Sequence, residues 1–273
     1  MTARAHELLD GFTRLGAVDT LSLLGQWPYR LGAAASADDL RAHARRLGLQ
    51  QLWVSHLATL TGFDTRTGNE ALRSACGDDP LFRLFAVVDP GAPGWPRELT
   101  WAAREGFTGV RLFPGDHGTA AEALRPVIEE AAALGLAAQV VLRLDDPRVR
   151  HPRSPATDPG MPEIAELVRR APAHPLVLSG LNRLEWIELG RHLGDDVPSH
   201  VLLDLWHVNG PTFVGDTWGD DPDRWVFGSG FPVQAAEPTA LQIAAASITD
   251  DARRRIAAGN ALLLQASLRD TEE

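Results

Sequence analysis

The stretch Ala138-Gln139-Val140-Val141-Leu142 is a short and nearly continuous apolar run. A run of about four to eight such residues is typical of a strand in a parallel sheet that is covered on both faces. Before it, apolar residues recur at helical spacing from 124 to 134, and Gly135 supplies a stop signal for a helix. The sequence therefore predicts a helix followed by a strand, extending over residues 138–144.

The same alternation recurs along the chain, and the other predicted strands are residues 17–24, 51–56, 84–88, 109–113, 176–179, 201–206 and 225–228. Their centres lie about 30 residues apart, which is the length of one strand–helix unit. Eight such units predict an α/β fold with a single (β/α)8 TIM-type barrel, formed by residues 1–273 as one domain. An open doubly wound sheet is the alternative, but no Gly-x-Gly-x-x-Gly motif follows an early strand.

Local signals place several further boundaries. Ser36 with Asp39 three residues later predicts a capping box for a helix over 38–47, and Pro162 is typical of the first turn of another helix. One long closing helix is predicted from about Pro238 to Leu264. The proline-rich residues 147–162 predict a long loop that covers the barrel as a lid.

Composition excludes several classes of function. The 26 basic residues against 36 acidic ones give a net charge of −10, which disfavours nucleic acid and anionic membranes as partners. Lysine does not occur, so Schiff-base chemistry and a P-loop lysine are excluded. The single cysteine, Cys76, indicates a packed thiol. Because neither an apolar signal core nor a membrane-spanning run is found, we expect a cytoplasmic protein.

Three parts of the sequence together resemble the amidohydrolase superfamily, in the branch of aminocarboxymuconate semialdehyde decarboxylase. Residues 18–25 (Val-Asp-Thr-Leu-Ser-Leu-Leu-Gly) resemble the family's first strand, and residues 109–114 (Gly-Val-Arg-Leu-Phe-Pro) its fourth. Residues 224–232 (Arg-Trp-Val-Phe-Gly-Ser-Gly-Phe-Pro), with Asn260-Ala261 after them, resemble the eighth strand and the closing helix. The resemblance implies a TIM-type barrel with its site at the carboxyl ends of the strands.

The resemblance also implies a metal held by three histidines and an aspartate. At the matching positions this sequence has Leu21, Leu23, Val141 and Gly230. None of these side chains has a lone pair for a cation, so we expect no metal at the usual place, no metal-activated water and no cofactor. A metal site rebuilt from four other polar residues is a weaker alternative; these are His56, His117, Asp204 and His207.

Two arginines are predicted at the barrel mouth, Arg111 on the fourth strand and Arg143 on the fifth, where Gln139 shares its face. A guanidinium binds a carboxylate or phosphate through two parallel hydrogen bonds, so the pair predicts an anionic small-molecule substrate. The alternative is that each arginine pairs internally with an aspartate; the candidates are Asp145, Asp146 and Asp204.

His117, in a glycine-flanked loop, is the predicted general acid or base, assisted by Asp145 or Asp204. Six further residues are predicted to contact substrate because they lie on or after strands at the mouth, namely Trp27, His56, Gln139, Asn182, Trp206 and His207. Trp218 and Phe231 are further aromatic candidates for the pocket wall.

Two functions follow from these observations. The first is a metal-independent hydrolase or C–C lyase that acts on a small carboxylated or cyclic substrate. The second is a catalytically inactive barrel that binds a small molecule or serves as a scaffolding subunit. The resemblance also implies a possible homodimer. The two functions differ in whether Arg111, Arg143, His117 and Asp204 converge on one cavity.

Overall fold

The structure is a computed structural model, and it describes residues 3–62, 64–194, 197–208 and 221–269. Eight parallel strands form the sheet: β1 (Val18–Gln26), β3 (Gln51–His56), β4 (Phe82–Val87), β5 (Gly109–Leu112), β6 (Ala137–Val141), β7 (Leu176–Ser179), β8 (Val201–Asp204) and β9 (Trp225–Val226). They follow one another in chain order around the sheet. A two-residue strand, β2 (Ala34–Ala35), adds an antiparallel pair at the end of β1 that the sequence did not predict.

The sheet closes between β1 and the segment that follows β9. The Thr20 amide donates to the Phe227 carbonyl at 2.9 Å, and the Leu23 amide donates to the Phe231 carbonyl at 2.8 Å. Asp19 strengthens this seam, because its carboxylate accepts hydrogen bonds from the amide and the hydroxyl of Ser229. The predicted barrel class is confirmed, with the fold of an α/β TIM-type barrel.

Helices pack around the barrel, and they are α1 (Ala3–Thr13), α2 (Ala37–Leu47), α3 (Ala58–Thr61), α4 (Thr65–Cys76), α5 (Trp95–Arg104), α6 (Pro114–His117), α7 (Leu124–Ala133), α8 (Met161–Arg170), α9 (Arg183–Leu193), α10 (Glu237–Ala245), α11 (Asp250–Arg254) and α12 (Asn260–Arg269). The predicted capping box of Ser36 and Asp39 is present at the start of α2. Pro162 lies in the first turn of α8, as predicted. No helix of the described residues is long and apolar enough to cross a membrane.

The prediction of one long closing helix is wrong. Ala246 is extended, with φ −65° and ψ 139°, and so ends α10. Thr249 then caps α11 by accepting a hydrogen bond from the Ala252 amide. A π-helical turn over Arg255–Gly259 separates α11 from α12. These local backbone changes let α12 turn under the barrel.

Side chains fill the barrel interior in three layers, as is usual for this architecture. The layer at the amino ends of the strands is apolar; it contains Val18, Trp53, Phe85, Ala137, Val177, Leu202 and Val226, closed from below by Ala261, Leu264 and Leu268 of α12. The middle layer is polar and centres on Arg111. The layer at the carboxyl ends is apolar again and contains Leu21, Leu23, Val87, Phe113, Val141 and Trp206.

Candidate functional site at the carboxyl ends of the strands

Arg111 lies inside the barrel, and its side chain is fully buried. It extends from β5 across the interior to donate to the carbonyls of Thr20 (3.0 Å) and Ser22 (3.2 Å) on β1. It also donates to the carbonyl of Trp53 at 3.1 Å and to the Gln139 side chain at 2.8 Å. Gln139 in turn donates to the Ser179 hydroxyl at 2.6 Å. The predicted substrate-binding residues Arg111 and Gln139 therefore have their polar groups engaged in the core.

Asp204, a predicted catalytic residue, belongs to the same buried layer. Burial raises the pKa of its carboxyl to about 7, against hydrogen bonds from Ser179 and Gly180 that favour the charged form. Burial also lowers the pKa of Arg111 to about 9. A Cβ added at Gly228 would meet the Asp204 carboxylate oxygen at 2.9 Å, so the last strand packs tightly against this group. The surroundings of Asp204 are those of a core residue.

Residues 142–160, which we name the strap, leave β6 and run over the barrel mouth to α8. Arg143 at its start is 3% exposed and donates through both terminal nitrogens to Glu185, at 2.7 and 2.6 Å. Its Nε lies 2.7 Å from a carboxylate oxygen of Asp158. Arg143 thus pairs internally, which was the alternative to anion binding in the sequence analysis. Its partners are Glu185 and Asp158, and not one of the three aspartates expected there.

Arg111 and Arg143 do not form a joint clamp for one anion. Arg111 directs its donors to main-chain carbonyls inside the barrel, whereas Arg143 directs its donors to carboxylates beneath the strap. The prediction of a shared anion site differs from the structure for this reason. Side-chain alternation placed both arginines near the mouth, but it did not specify the depth of each side chain.

Asp145, the other predicted catalytic carboxylate, is also engaged. It accepts a hydrogen bond of 2.7 Å from the indole N–H of Trp27 and one of 3.0 Å from Arg30. Arg30 further donates to the carbonyl of Val233. Asp145 and Trp27, both predicted site residues, are therefore hydrogen-bonded to each other, and they connect the strap to the loop after β1.

His117 lies apart from these residues, at the end of α6. Its Nε2 is 3.3 Å from the carbonyl of Thr59, and its buried Nδ1 has no hydrogen-bond partner among the described residues. Because a carbonyl only accepts, Nε2 carries the proton in this contact. A cleft of about 280 Å³ at the carboxyl ends of β3, β4 and β5 is lined by His117 together with Arg66, Asp89 and Glu98.

Asp116, which precedes His117, was not among the predicted catalytic residues. Burial raises the pKa of its carboxyl to about 7, with Arg150 opposing this shift and Asp145 and Asp158 adding to it. One of its oxygens is buried and has no hydrogen-bond partner among the described residues. In the sequence, the signal that could have identified Asp116 was its position in the loop after the fourth strand. Its burial distinguishes it from other aspartates, and burial is visible only in the structure.

The other predicted substrate contacts have varied surroundings. His56 accepts a hydrogen bond from the Ala58 amide, and burial lowers the pKa of its imidazole. His207 is 5% exposed, and burial is the main cause that lowers the pKa of its imidazole. The positive charge of the nearby Arg143 lowers this pKa further. Asn182 caps α9 by accepting from the amides of Leu184 and Glu185, which is a structural role.

The aromatic candidates lie in two places. Trp206 is buried in the apolar layer at the carboxyl ends of the strands, and its indole N–H has no partner among the described residues. Phe231 stacks on His43 of α2 with ring centroids 4.1 Å apart, outside the barrel interior. Trp218 lies outside the described residues. The aromatic residues therefore do not form one continuous pocket wall.

Comparison of structures shows the same fold in proteins of low sequence identity. The 2,6-dihydroxybenzoate decarboxylase from Rhizobium matches with a TM-score of 0.65 and 17% identity over 92% of this chain and 99% of that one. The dihydroxybenzoic acid decarboxylase from Polaromonas sp. JS666, solved with bound manganese and 2-nitroresorcinol, gives 0.62 and 16% over 92% and 97%. An amidohydrolase from Burkholderia multivorans gives 0.60 and 16% over 92% and 99%.

These neighbours confirm the fold that the sequence resemblance implied, a TIM-type barrel. No family model matches the sequence, and no curated protein matches it.

The sequence resemblance implied a metal at the carboxyl ends of the strands, but the residues at that position do not fit one. Leu21, Leu23 and Val141 pack against one another in the apolar layer, and Gly230 offers only its backbone. Within the described ranges, no group of three or more His, Cys, Asp or Glu residues could hold an ion.

Proposed function

We propose that this chain is an amidohydrolase-type barrel in which apolar side chains fill the position of the implied metal site. The protein binds a small molecule and has no metal-dependent catalytic activity. One observation carries the proposal, the apolar layer formed by Leu21, Leu23 and Val141 with Phe113 and others at the implied metal position. A hydrolase or decarboxylase that works through a metal needs lone-pair donors at that place.

The pairing of the polar residues adds support. Arg111, Arg143, Asp145 and Asn182 each have partners within the protein, and these four were among the residues expected to meet a substrate. A polar group that is satisfied internally has less free energy to gain from a ligand, because its hydrogen bonds must first be broken. The pairing therefore argues against an enzyme built on these residues, and the cleft lined by His117 and Arg66 is left as the place for a ligand.

Metal content and turnover test the proposal together. The purified, untagged protein is analysed by plasma mass spectrometry before and after chelation, and carbon dioxide release from 2,6-dihydroxybenzoate is measured with and without added Mn²⁺. We expect far less than one metal per chain and no release under either condition. A near-stoichiometric metal whose removal abolishes activity would overturn the proposal.

Binding is tested separately by thermal denaturation against a panel of small carboxylated and cyclic compounds. A ligand at about 100 times its Kd adds about 2.7 kcal/mol to the free energy of unfolding, which is readily seen as a rise in Tm. We expect such a rise for at least one carboxylated compound, without loss of that compound over time. Consumption of the compound would instead identify an enzyme.

A metal-independent enzyme is the second candidate, and Asp116 with His117 favours it. Both side chains have a buried polar atom without a partner among the described residues, and a carboxyl with a pKa raised to about 7 can exchange a proton near neutral pH. If this candidate holds, Asp116→Asn and His117→Gln each lower kcat for a substrate found in the panel, and Asp116→Asn removes the corresponding limb of the pH–rate profile.

A further inference from the structure

The strap crosses the barrel mouth from one side to the other. It begins at β6, and the Thr157 amide donates to the Gly115 carbonyl after β5 at 3.1 Å. Arg143 binds Glu185 after β7, and Asp145 binds Trp27 after β1. Since β1 lies across the barrel from β5 and β6, these contacts place the strap over the apolar layer at the carboxyl ends of the strands.

Polar contacts, rather than apolar packing, hold the outer part of the strap. Leu142 and Leu144 are buried at its start, but Val149 is 66% exposed. Arg150 donates to the carbonyl of Ala156 at 2.9 Å, within the strap itself. A segment with few buried apolar contacts opens locally at lower free energy than the core around it.

Asp158 is the point where these polar contacts converge. One carboxylate oxygen lies 2.7 Å from Nε of Arg143, and the other accepts a hydrogen bond from Arg150. Arg143 is fixed to α9 through Glu185, whereas Arg150 belongs to the outer strap. The Asp158 carboxylate thus connects the outer strap to an arginine that the barrel holds in place.

We propose that Asp158 is a latch that keeps the strap closed over the barrel mouth, and that loss of its charge opens residues 146–156 while the barrel stays folded. Arg143 would lose an ion pair with the Asp158 carboxylate, and Arg150 would lose a charge-assisted hydrogen bond, which is stronger than one between neutral groups. The proposal goes beyond the proposed function, because the latch would control access to the mouth for a binding protein and for an enzyme alike.

Limited trypsin digestion of the full chain tests the latch, because Arg153 lies in the outer strap and is present in every variant. Cleavage after Arg153 is followed by mass spectrometry. We expect Asp158→Asn to raise its rate by about tenfold or more over wild type, since cleavage follows the population of the open form. Arg148→Gln is the matched control, because the Arg148 side chain is 79% exposed and pairs with Asp146 inside the strap.

Two results would overturn the latch. One is cleavage of Asp158→Asn at the wild-type rate, and the other is an equal rise in Arg148→Gln. Circular dichroism and amide exchange of β6 and β7 show whether the barrel remains folded in each variant. If Asp158→Asn unfolds as a whole, Arg150→Gln removes the other half of the contact, and a wild-type cleavage rate there overturns the proposal.

Discussion

The two ends of the barrel are closed by different kinds of interaction. At the amino ends of the strands, Trp53 and Phe85 stack with ring centroids 4.9 Å apart, and α12 covers the layer with Leu264 and Leu268. At the carboxyl ends, the strap covers the mouth through ion pairs around Asp158. Burial of apolar surface is the dominant stabilising contribution in folding, whereas the attraction in a buried ion pair is largely offset by the cost of removing both charges from water.

Because of this difference, the amino end contributes to the stability of the barrel, whereas the carboxyl end controls access to the barrel mouth. The amino end is sealed by side chains whose removal leaves a cavity, so it resists opening. The carboxyl end can open by breaking a few polar contacts while the barrel remains intact. Ordinary TIM barrels carry their sites at the carboxyl end, and the weaker closure there agrees with that division.

The largest expected effect tests the apolar end. Trp53→Ala removes a fully buried indole from the apolar layer at the amino ends of the strands and leaves a cavity. We expect a loss of about 3–5 kcal/mol in the free energy of unfolding, measured by urea denaturation. A loss below about 1 kcal/mol would mean that α12 moves in to fill the space, and that this end is less rigid than its packing indicates.

A smaller effect concerns the polar middle layer and depends on pH. Because burial raises the pKa of Asp204 from its ordinary 3.8 to about 7, the folded state favours the protonated carboxyl. The stability that this group contributes is fully present below about pH 4 and is lost progressively as the pH rises to about 7. Asp204→Asn should therefore reduce the fall in unfolding free energy between about pH 4 and pH 7. An unchanged fall would assign the pH dependence to Asp116 instead.

Gly115→Ala is expected to disturb the strap without affecting the apolar layer at the amino ends of the strands. An added Cβ would meet the carbonyl oxygens of Thr157 at 2.9 Å and Leu142 at 3.2 Å, so the strap must shift. We expect about 1 kcal/mol of destabilisation and faster exchange of the Thr157 amide. Gly94→Ala is the matched control, since nothing lies within 4 Å of its added Cβ. Equal effects in the two variants would contradict the close contact.

The smallest effect is expected for Arg148→Gln at the outside of the strap. The Arg148 side chain is 79% exposed, and water screens its pairing with Asp146. We expect a change within about 0.5 kcal/mol by urea denaturation. A larger loss would show that the exposed contacts of the strap contribute more to closure than the comparison of the two ends implies.

The sequence predicted much of the barrel because strand signals were local. The predicted strands at 51–56 and 176–179 coincide with β3 and β7, and the others differ by a few residues at their ends. The closing helix was predicted too long, because apolar spacing continues across both the extended Ala246 and the π-helical turn, and periodicity distinguishes neither from an α-helix. The short β2 carries no apolar pattern of its own.

The site was harder to predict, because it depends on contacts between distant parts of the chain. Strand ends identified Arg143, Asp145 and Trp27 as neighbours of the mouth, but their partners lie up to 118 residues away in sequence. Asp158 and Glu185 carry no local motif that marks them as partners of Arg143. A bulge in β1 between Asp19 and Ser22 also shifts the register against β3, which alternation alone does not anticipate.

The bulge in β1 has a consequence for where the chain tolerates insertions and deletions. The carbonyls of Thr20 and Ser22 both accept from Arg111, which also binds Trp53 and Gln139 on other strands. A residue added or removed in β1 would displace one of these carbonyls and leave a buried charge without its acceptor. Changes in length are therefore expected to be tolerated in the outer strap and rejected in β1, where one guanidinium fixes the alignment of four strands.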